Sequence, residues 1–373
     1  MTKEKIVCNI SYNKKLKYPI ASEERLSQTY ERRMAMSKAD DFFIIDCEAH
    51  IMPWEFRRHI SYYPGSAYFS KPEESPTGKW WNTNPITKER REKPADWTLE
   101  RLIETMDTAG IDKACMLRES FLNLSYNGVP CSTNFHTIQA MKEYPDRIIG
   151  CSNVGPHLIR GVSNAIKELE ILHTEYGFKC TKIYSPEDSG PFNHPDMFPF
   201  YEKCLELNAA VFFHTGLAVG GHMEYCRPML LDEICLTFPE LKVLAYHFGW
   251  PEPDTLNALA WKHRNLYISM SGMLGPFYYA PMKLAHMVGS IMNILGGSEK
   301  IIFGTDWPAA PPDLSVQSIL DLEISKELQE GWGYPPIADQ DRANMFGLNL
   351  AKLLNLEIPQ KYSRWTHGSS RQE

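Results

Sequence analysis

Eight short apolar runs recur along the chain, each closing on a polar or glycine-containing tip and each separated from the next by enough residues for a helix. They are Phe42–His50 (FFIIDCEAH), Ile111–Arg118, Arg147–Val154, Phe178–Tyr184, Ala209–Gly216, Leu241–Gly249, Asn265–Gly272 and Lys300–Pro308. Between them apolar residues return at intervals of three and four, as in Leu99, Leu102, Ile103 and Met106 before an Ala109-Gly110 stop. Similar helical spacing runs from about Ile159 to His173, Met197 to Leu207, Pro228 to Phe238, Asp254 to His263 and Met282 to Leu295. Alternating strand and helix predicts an α/β protein with a parallel sheet, and eight repeats favour a closed (β/α)8 TIM barrel over an open doubly wound sheet. No G-x-G-x-x-G or Walker fingerprint follows the first strand to support the open alternative.

Two stretches depart from the repeat. Residues 51–96 form a long insertion after the first strand, rich in aromatics (Trp54, Phe56, Tyr62, Tyr63, Tyr68, Trp80, Trp81), and an insertion after a barrel strand sits at the catalytic mouth. It reads as a lid or a dimer contact, or else as a surface excursion that packs on the barrel. After the eighth strand, Asp339–Leu354 is amphipathic and is expected to close the barrel as an outer helix. The domain reading is an N-terminal extension over 1–41, a barrel over 42–356 and a polar tail over 357–373, frayed from about Gln360.

Composition narrows the function. The 373 residues are 43% hydrophobic, enough for a large core, and 39 Lys+Arg against 46 Asp+Glu give a charge of −7 without any basic block. Nucleic acid is therefore not an expected partner. Residues 1–40 carry charges every few positions with no apolar signal core, and nowhere do 18 apolar residues follow one another, so no membrane association is expected and the cytoplasm is the expected compartment. Nine scattered cysteines without a C-x-x-C pair fit reduced thiols.

Chemistry concentrates at the strand tips. Strand one offers Glu48 and His50, strand five His214, strand six His247 and strand eight Asp306, all at the end where barrel enzymes hold their active sites. In a regular strand Ile44, Asp46, Glu48 and His50 share one face, which would leave Ile45 and Cys47 toward the helices. Imidazoles with carboxylates suit Zn²⁺, Mn²⁺ or Fe²⁺ better than Ca²⁺. Asp306 follows the apolar Ile301, Ile302 and Phe303, where a carboxylate calls for a cation or a dense set of donors.

These tips, D-C-E-A-H at 46–50, G-F-K-C-T-K-I-Y at 177–184, F-H-T-G at 213–216, H-F-G at 247–249 and F-G-T-D-W-P at 303–308, make the chain from about Phe42 to Leu354 resemble the amidohydrolase superfamily. Within it, the pattern is similar to the branch of aminocarboxymuconate semialdehyde decarboxylase and the hydroxybenzoate decarboxylases. The resemblance implies one divalent ion, Zn²⁺ or Mn²⁺, held by Glu48, His50, His214 and Asp306, with His247 as acid/base. Glu48 stands where H-x-H is commoner in the superfamily, as in the resorcylate and carboxyvanillate decarboxylases, and a carboxylate there makes the site harder. Lys182 occupies the strand-four position that binuclear hydrolases carboxylate, and its other reading is a lysine paired with a carboxylate or with substrate.

Arg118 is placed to grip a substrate carboxylate, or to pair with Glu119 or Glu48, while Trp54, Phe56 and Tyr184 could wall the pocket. His222 could touch a ligand, and Glu252 could orient His247. The expected function is non-oxidative decarboxylation of a small aromatic or unsaturated carboxylic acid, the proton coming from Asp306 or His247. A metal-dependent hydrolase of a lactone, amide or imine is the alternative, and a barrel with a vestigial ligand set and an interacting lid is a third. A homodimer or tetramer is expected from the aromatic insertion.

Overall fold

The computed structural model describes residues 38–51, 97–117, 132–218, 221–278 and 280–366. Eight parallel strands stand in chain order: β1 Ile45–His50, β2 Lys113–Leu117, β3 Ile148–Ser152, β4 Cys180–Ile183, β5 Ala210–Phe213, β6 Val243–Ala245, β7 Leu266–Ser269 and β8 Ile301–Ile302. Each lies within one of the eight expected runs. β8 returns to β1 through three backbone bonds, Cys47 N–H to Phe303 O (3.2 Å), His50 N–H to Trp307 O (2.8 Å) and Asp306 N–H to Glu48 O (2.9 Å). The sheet is a closed barrel, and the open doubly wound alternative falls.

The connecting helices follow the apolar periodicity. Leu99–Ala109 starts where Thr98 Oγ1 accepts the Arg101 N–H, buries Leu102, Met106 and Ala109, and stops at Gly110 in the left-handed conformation. Helices Val162–Tyr176, Phe198–Glu206, Leu231–Thr237, Pro253–Lys262 and Pro281–Leu295 fall on the other expected segments. The helix Asn134–Glu143 between β2 and β3 was not expected, because its fully buried positions are Asn134, Thr137 and Ala140, and Ile138 and Met141 beside them make only a short, partly buried apolar strip. No described helix is long and apolar enough to cross a membrane.

Side-chain parity in β1 corrects the sequence reading. The β1–β2 pairing runs Ile45 to Lys113 and Asp46 to Ala114, then resumes at Ala49 to Met116, so β1 carries one extra residue, a bulge. Before the bulge Ile45 and Cys47 face the barrel interior, where they join Cys115, Cys151, Cys180, Phe212, Leu244 and Tyr246. Ile44 and Ala49 belong to the outer layer with Leu102 and Met106. After the bulge Glu48 and His50 turn inward instead, so the bulge presents both to the mouth while Cys47 fills the layer beneath. The seven described cysteines are all free and buried.

The floor of the barrel is made by the C-terminal segment. Asp339–Ala343, a π turn over Asn344–Leu348 and Asn349–Leu354 follow without a break. Leu350, Ala351, Leu353 and Leu354 pack against Phe43 and Ile45, making the segment a plug under the barrel and not simply another outer helix. The π turn leaves the Met345 carbonyl to accept the Phe303 N–H at 2.9 Å, anchoring the exit of β8. The expected fraying from Gln360 is also corrected: Gln360–Trp365 is a 3-10 turn whose Tyr362 is buried, and Tyr362 Oη donates to Asp112 at 2.9 Å. Trp365 stacks on Phe42 at 5.3 Å.

Gly347 sits in the π turn where an added Cβ would lie 2.1 Å from the Phe43 carbonyl oxygen. Gly347→Ala is expected to destabilise the fold by about 1–3 kcal/mol, the usual effect of forcing a methyl group into filled space, measured by urea denaturation. A variant as stable as wild type would mean the plug can shift without loss.

Candidate active site

The mouth of the barrel gathers side chains from six of the eight strands, β1 and β4 to β8. Glu48 is fully buried after the β1 bulge, and its two oxygens accept from opposite sides: Lys182 Nζ of β4 reaches Oε1 at 2.7 Å, and Ser271 Oγ, just past β7, reaches Oε2 at 2.6 Å. Burial acts to raise the Glu48 pKa, but Lys182 and the imidazoles of His247 and His50 outweigh it and hold the carboxyl well below its usual range. His50 Nε2 lies 3.2 Å from Asp306 Oδ1 and 3.6 Å from Glu48 Oε1.

His247 and Asp306 both adopt left-handed backbone, with φ of 62° and 57°. Such conformations are uncommon outside glycine and tend to collect where function over-determines the geometry. The two are close enough that Gly272 must lack a side chain: with φ of 70°, its Cβ would meet Asp306 Oδ2 and His247 Nδ1 at 3.0 Å each. Asp306 is raised above the normal carboxyl range by burial, with the Glu48 charge adding to it.

The two histidines at the centre have fixed tautomers. His214 Nε2 lies 2.8 Å from the Leu217 carbonyl and His247 Nδ1 lies 2.9 Å from the Ser271 carbonyl, so each of those nitrogens carries the proton. The remaining nitrogens, His214 Nδ1 and His247 Nε2, face each other at 3.1 Å, and with both rings neutral each would present a lone pair. Two facing lone pairs beside two carboxylates repel unless a cation or a proton lies among them. Burial pushes the His214 pKa well below its ordinary value, with His247 and Lys182 adding to the effect, which disfavours the proton on that ring. The donor set therefore fits a divalent cation.

Of the residues expected to form the site, Glu48, His50, His214, His247 and Asp306 all converge. Glu48, His247 and Asp306 offer atoms within 4.8 Å of one another. His214 joins the group through His247, and Tyr184 lies edge-on to it with ring centroids 4.6 Å apart. Trp54, Phe56 and Arg118 lie outside the described residues. His222 is exposed and 4.0 Å from Glu224. Glu252 is bound by Arg227 at 2.8 Å and does not orient His247, a role taken by the Ser271 carbonyl.

Sequence reasoning passed over Asp46 and Ser271. Asp46 Oδ1 accepts the backbone N–H groups of Glu48 (3.0 Å) and Thr305 (2.8 Å), and Oδ2 accepts the Thr305 hydroxyl. It clamps β1 to the loop that carries Asp306, and burial pushes its pKa up to about 7 against the effect of those donors. The only sequence hint for Ser271 was the hydroxyl-rich S-M-S-G tip of strand seven.

The profile of the family described as Amidohydrolase matches residues 45–356. The chain belongs to the amidohydrolase family. Among its relatives, 2-amino-3-carboxymuconate-6-semialdehyde decarboxylase of Dictyostelium discoideum is 27% identical over 255 residues, covering 61% of this chain and 67% of that one. Two solved structures share the family fold at low identity. One is 5-carboxyvanillate decarboxylase from Novosphingobium aromaticivorans, complexed with manganese and 4-hydroxy-3-methoxy-5-nitrobenzoic acid (TM-score 0.59, 17% identity, 85% of this chain and 97% of that one). The other is 2,6-dihydroxybenzoate decarboxylase from Rhizobium (TM-score 0.57, 14% identity, 84% and 99%).

Removing the Asp46 clamp strands three buried donors at the mouth of this family member, each costing about 1–3 kcal/mol. Asp46→Ala is expected to lose about 3 kcal/mol or more in denaturant unfolding. A loss under about 1 kcal/mol would mean that the seam holds without it.

Proposed function

We propose that this protein is a metal-dependent, non-oxidative decarboxylase of a small aromatic or unsaturated hydroxycarboxylic acid. The observation that carries the reading is the convergence of Glu48, Asp306 and His247, with atoms within 4.8 Å of one another, joined by His50 beside Asp306 and by His214 beside His247, which gathers more nitrogen and oxygen donors than one divalent cation needs and leaves an imidazole over for proton transfer. The named relative and the family membership support the reaction class.

In this reading Glu48, His50, His214 and Asp306 hold the ion, and the hard carboxylate of Glu48 favours Mn²⁺ over Zn²⁺. When bound, the ion supplies Lewis acidity and a fixed point for the substrate's carboxylate and neighbouring oxygen. Tyr184, edge-on to His214, walls one side of the acid, and Arg118, Trp54 and Phe56 complete the substrate contacts. His247 is held by its Nδ1–H on the Ser271 carbonyl, which keeps Nε2 aimed at the pocket. The proton delivered to the carbon that bears the carboxylate comes from the Asp306 carboxyl or from His247 once it is doubly protonated, with Nδ1–H kept on the Ser271 carbonyl and the second proton on Nε2. The C–C bond then breaks, its electron pair restores the ring, and carbon dioxide leaves. The 51–96 insertion as a cover for the mouth, a homodimer or tetramer and a cytoplasmic setting belong to the same proposal.

Two experiments test it. Purified wild-type protein is expected to hold one divalent ion per chain by elemental analysis, lost in Glu48→Ala and His214→Ala. His247→Asn keeps the ion while turnover drops by about 10² to 10⁴, the usual loss for a positioned proton carrier. Two ions per chain, or ion loss in His247→Asn, would overturn this division of roles. In D₂O, the product of a hydroxybenzoate substrate should carry deuterium at the carbon that lost its carboxylate, and Asp306→Asn should abolish it. Turnover confined to lactones, amides or imines, with no carbon dioxide released from any hydroxylated acid, would instead assign the hydrolase.

A further inference from the structure

Lys182 stands at the centre of the site without a part in the reaction just described. It is buried (3% exposed), donates to Glu48 Oε1 at 2.7 Å, and has the rings of Tyr184 and Tyr246 at 5.9 and 5.5 Å from its Nζ. Two aromatic faces stabilise an ammonium in place away from water and leave it few other positions. Its partner Glu48 is also held from the other side by Ser271 Oγ at 2.6 Å, and the Ser271 carbonyl fixes His247. One charged lysine thus touches a carboxylate of the ligand set directly and the acid/base histidine through two intermediates.

We propose that Lys182 is a positioning and charge-balancing residue: it fixes the orientation of Glu48 and deliberately weakens the grip of the site on its cation. The inference rests on the proposed metal-dependent reading. With neutral imidazoles, the carboxylates of Glu48 and Asp306 and the ammonium of Lys182 leave one net negative charge around the ion. A divalent cation then turns the site singly positive, which matches a monoanionic acid and leaves no excess charge to bind the released product tightly. Without Lys182 the loaded site would be neutral and would hold its ion more firmly. Asp46 lies outside the ligand set on Thr305 and the Glu48 N–H and is the same in wild type and the Lys182 variants, so it does not alter the difference between them. The opposite reading of the same residue is a carboxylated lysine that ligates the ion directly, and it predicts the opposite sign.

The test is titration of metal-free wild type, Lys182→Met, Lys182→Gln, Lys182→Arg and Ser271→Ala with Mn²⁺ alone, followed by calorimetry or competition with a chromogenic chelator, at fixed pH and ionic strength. Lys182→Met and Lys182→Gln are expected to bind one Mn²⁺ roughly tenfold more tightly than wild type or better, since a unit charge beside a ligand oxygen acts strongly in so dry a site. Lys182→Arg keeps the charge and should stay within about threefold of wild type, as should Ser271→Ala, which removes a neutral donor. A purely structural lysine would lower the melting temperature and leave affinity unchanged or reduced. Unchanged or weaker Mn²⁺ binding in whichever of Lys182→Met and Lys182→Gln retains a native circular dichroism spectrum overturns the proposal, as does failure of both to fold while Lys182→Arg folds. If wild type itself takes up no Mn²⁺, the functional reading fails first and the role of Lys182 goes with it.

Discussion

The seam between the first and last strands is the constraint on which the site depends. A (β/α)8 barrel has one place where strands distant in sequence must be joined, and here β8 is only two residues long. Its pairing with β1 continues through irregular chain, with Asp306 and Trp307 taking backbone bonds that a longer strand would have supplied. The buried Asp46 carboxylate stands in for missing ladder partners by accepting from Thr305 and Glu48. A buried carboxylate is costly unless fully bonded, and bonding it fully fixes the surrounding backbone. Glu48 and Asp306 are therefore held at a set separation by the same groups that close the fold.

Much of this was legible in the sequence. The eight strands were visible because each pairs an apolar run with a polar tip, and the metal-binding types at the tips of β1, β5, β6 and β8 stood out against those runs. What escaped has physical reasons. The β1 bulge is a single extra residue, and D-C-E-A-H reads as a regular strand unless the pairing with β2 is known. Ser271 acts through a hydroxyl and a carbonyl, neither of which marks a position as functional. The helix Asn134–Glu143 fully buries polar and small residues, and its short apolar strip is too weak for a test based on apolar spacing.

The electrostatics of the mouth form one system. Glu48 is held ionised by Lys182 and the imidazoles, while the Glu48 charge helps push Asp306 the other way. Neighbouring carboxyls with opposed shifts are a common means of giving similar groups different tasks. Here the opposition arises from position alone: Glu48 lies at the level of Lys182, whereas Asp306 lies on the far side of His50 with no lysine among its described partners.

The layer beneath the site is lopsided in the size of its side chains. Strands β1 to β4 contribute Cys47, Cys115, Cys151 and Cys180, whereas β5 and β6 contribute Phe212 and Tyr246. Small sulfur-bearing groups on one half of the barrel make room for two rings from the other half, and the Tyr246 hydroxyl crosses far enough to donate to the Cys47 carbonyl at 3.0 Å. Volume in this layer is thus shared across the axis instead of being divided evenly among strands. Four thiols share this layer with two rings, so a larger residue on the cysteine side calls for a smaller one elsewhere in the layer. Tyr246 directly precedes His247, so a change in bulk on the thiol wall of the barrel is transmitted to the active-site histidine from below.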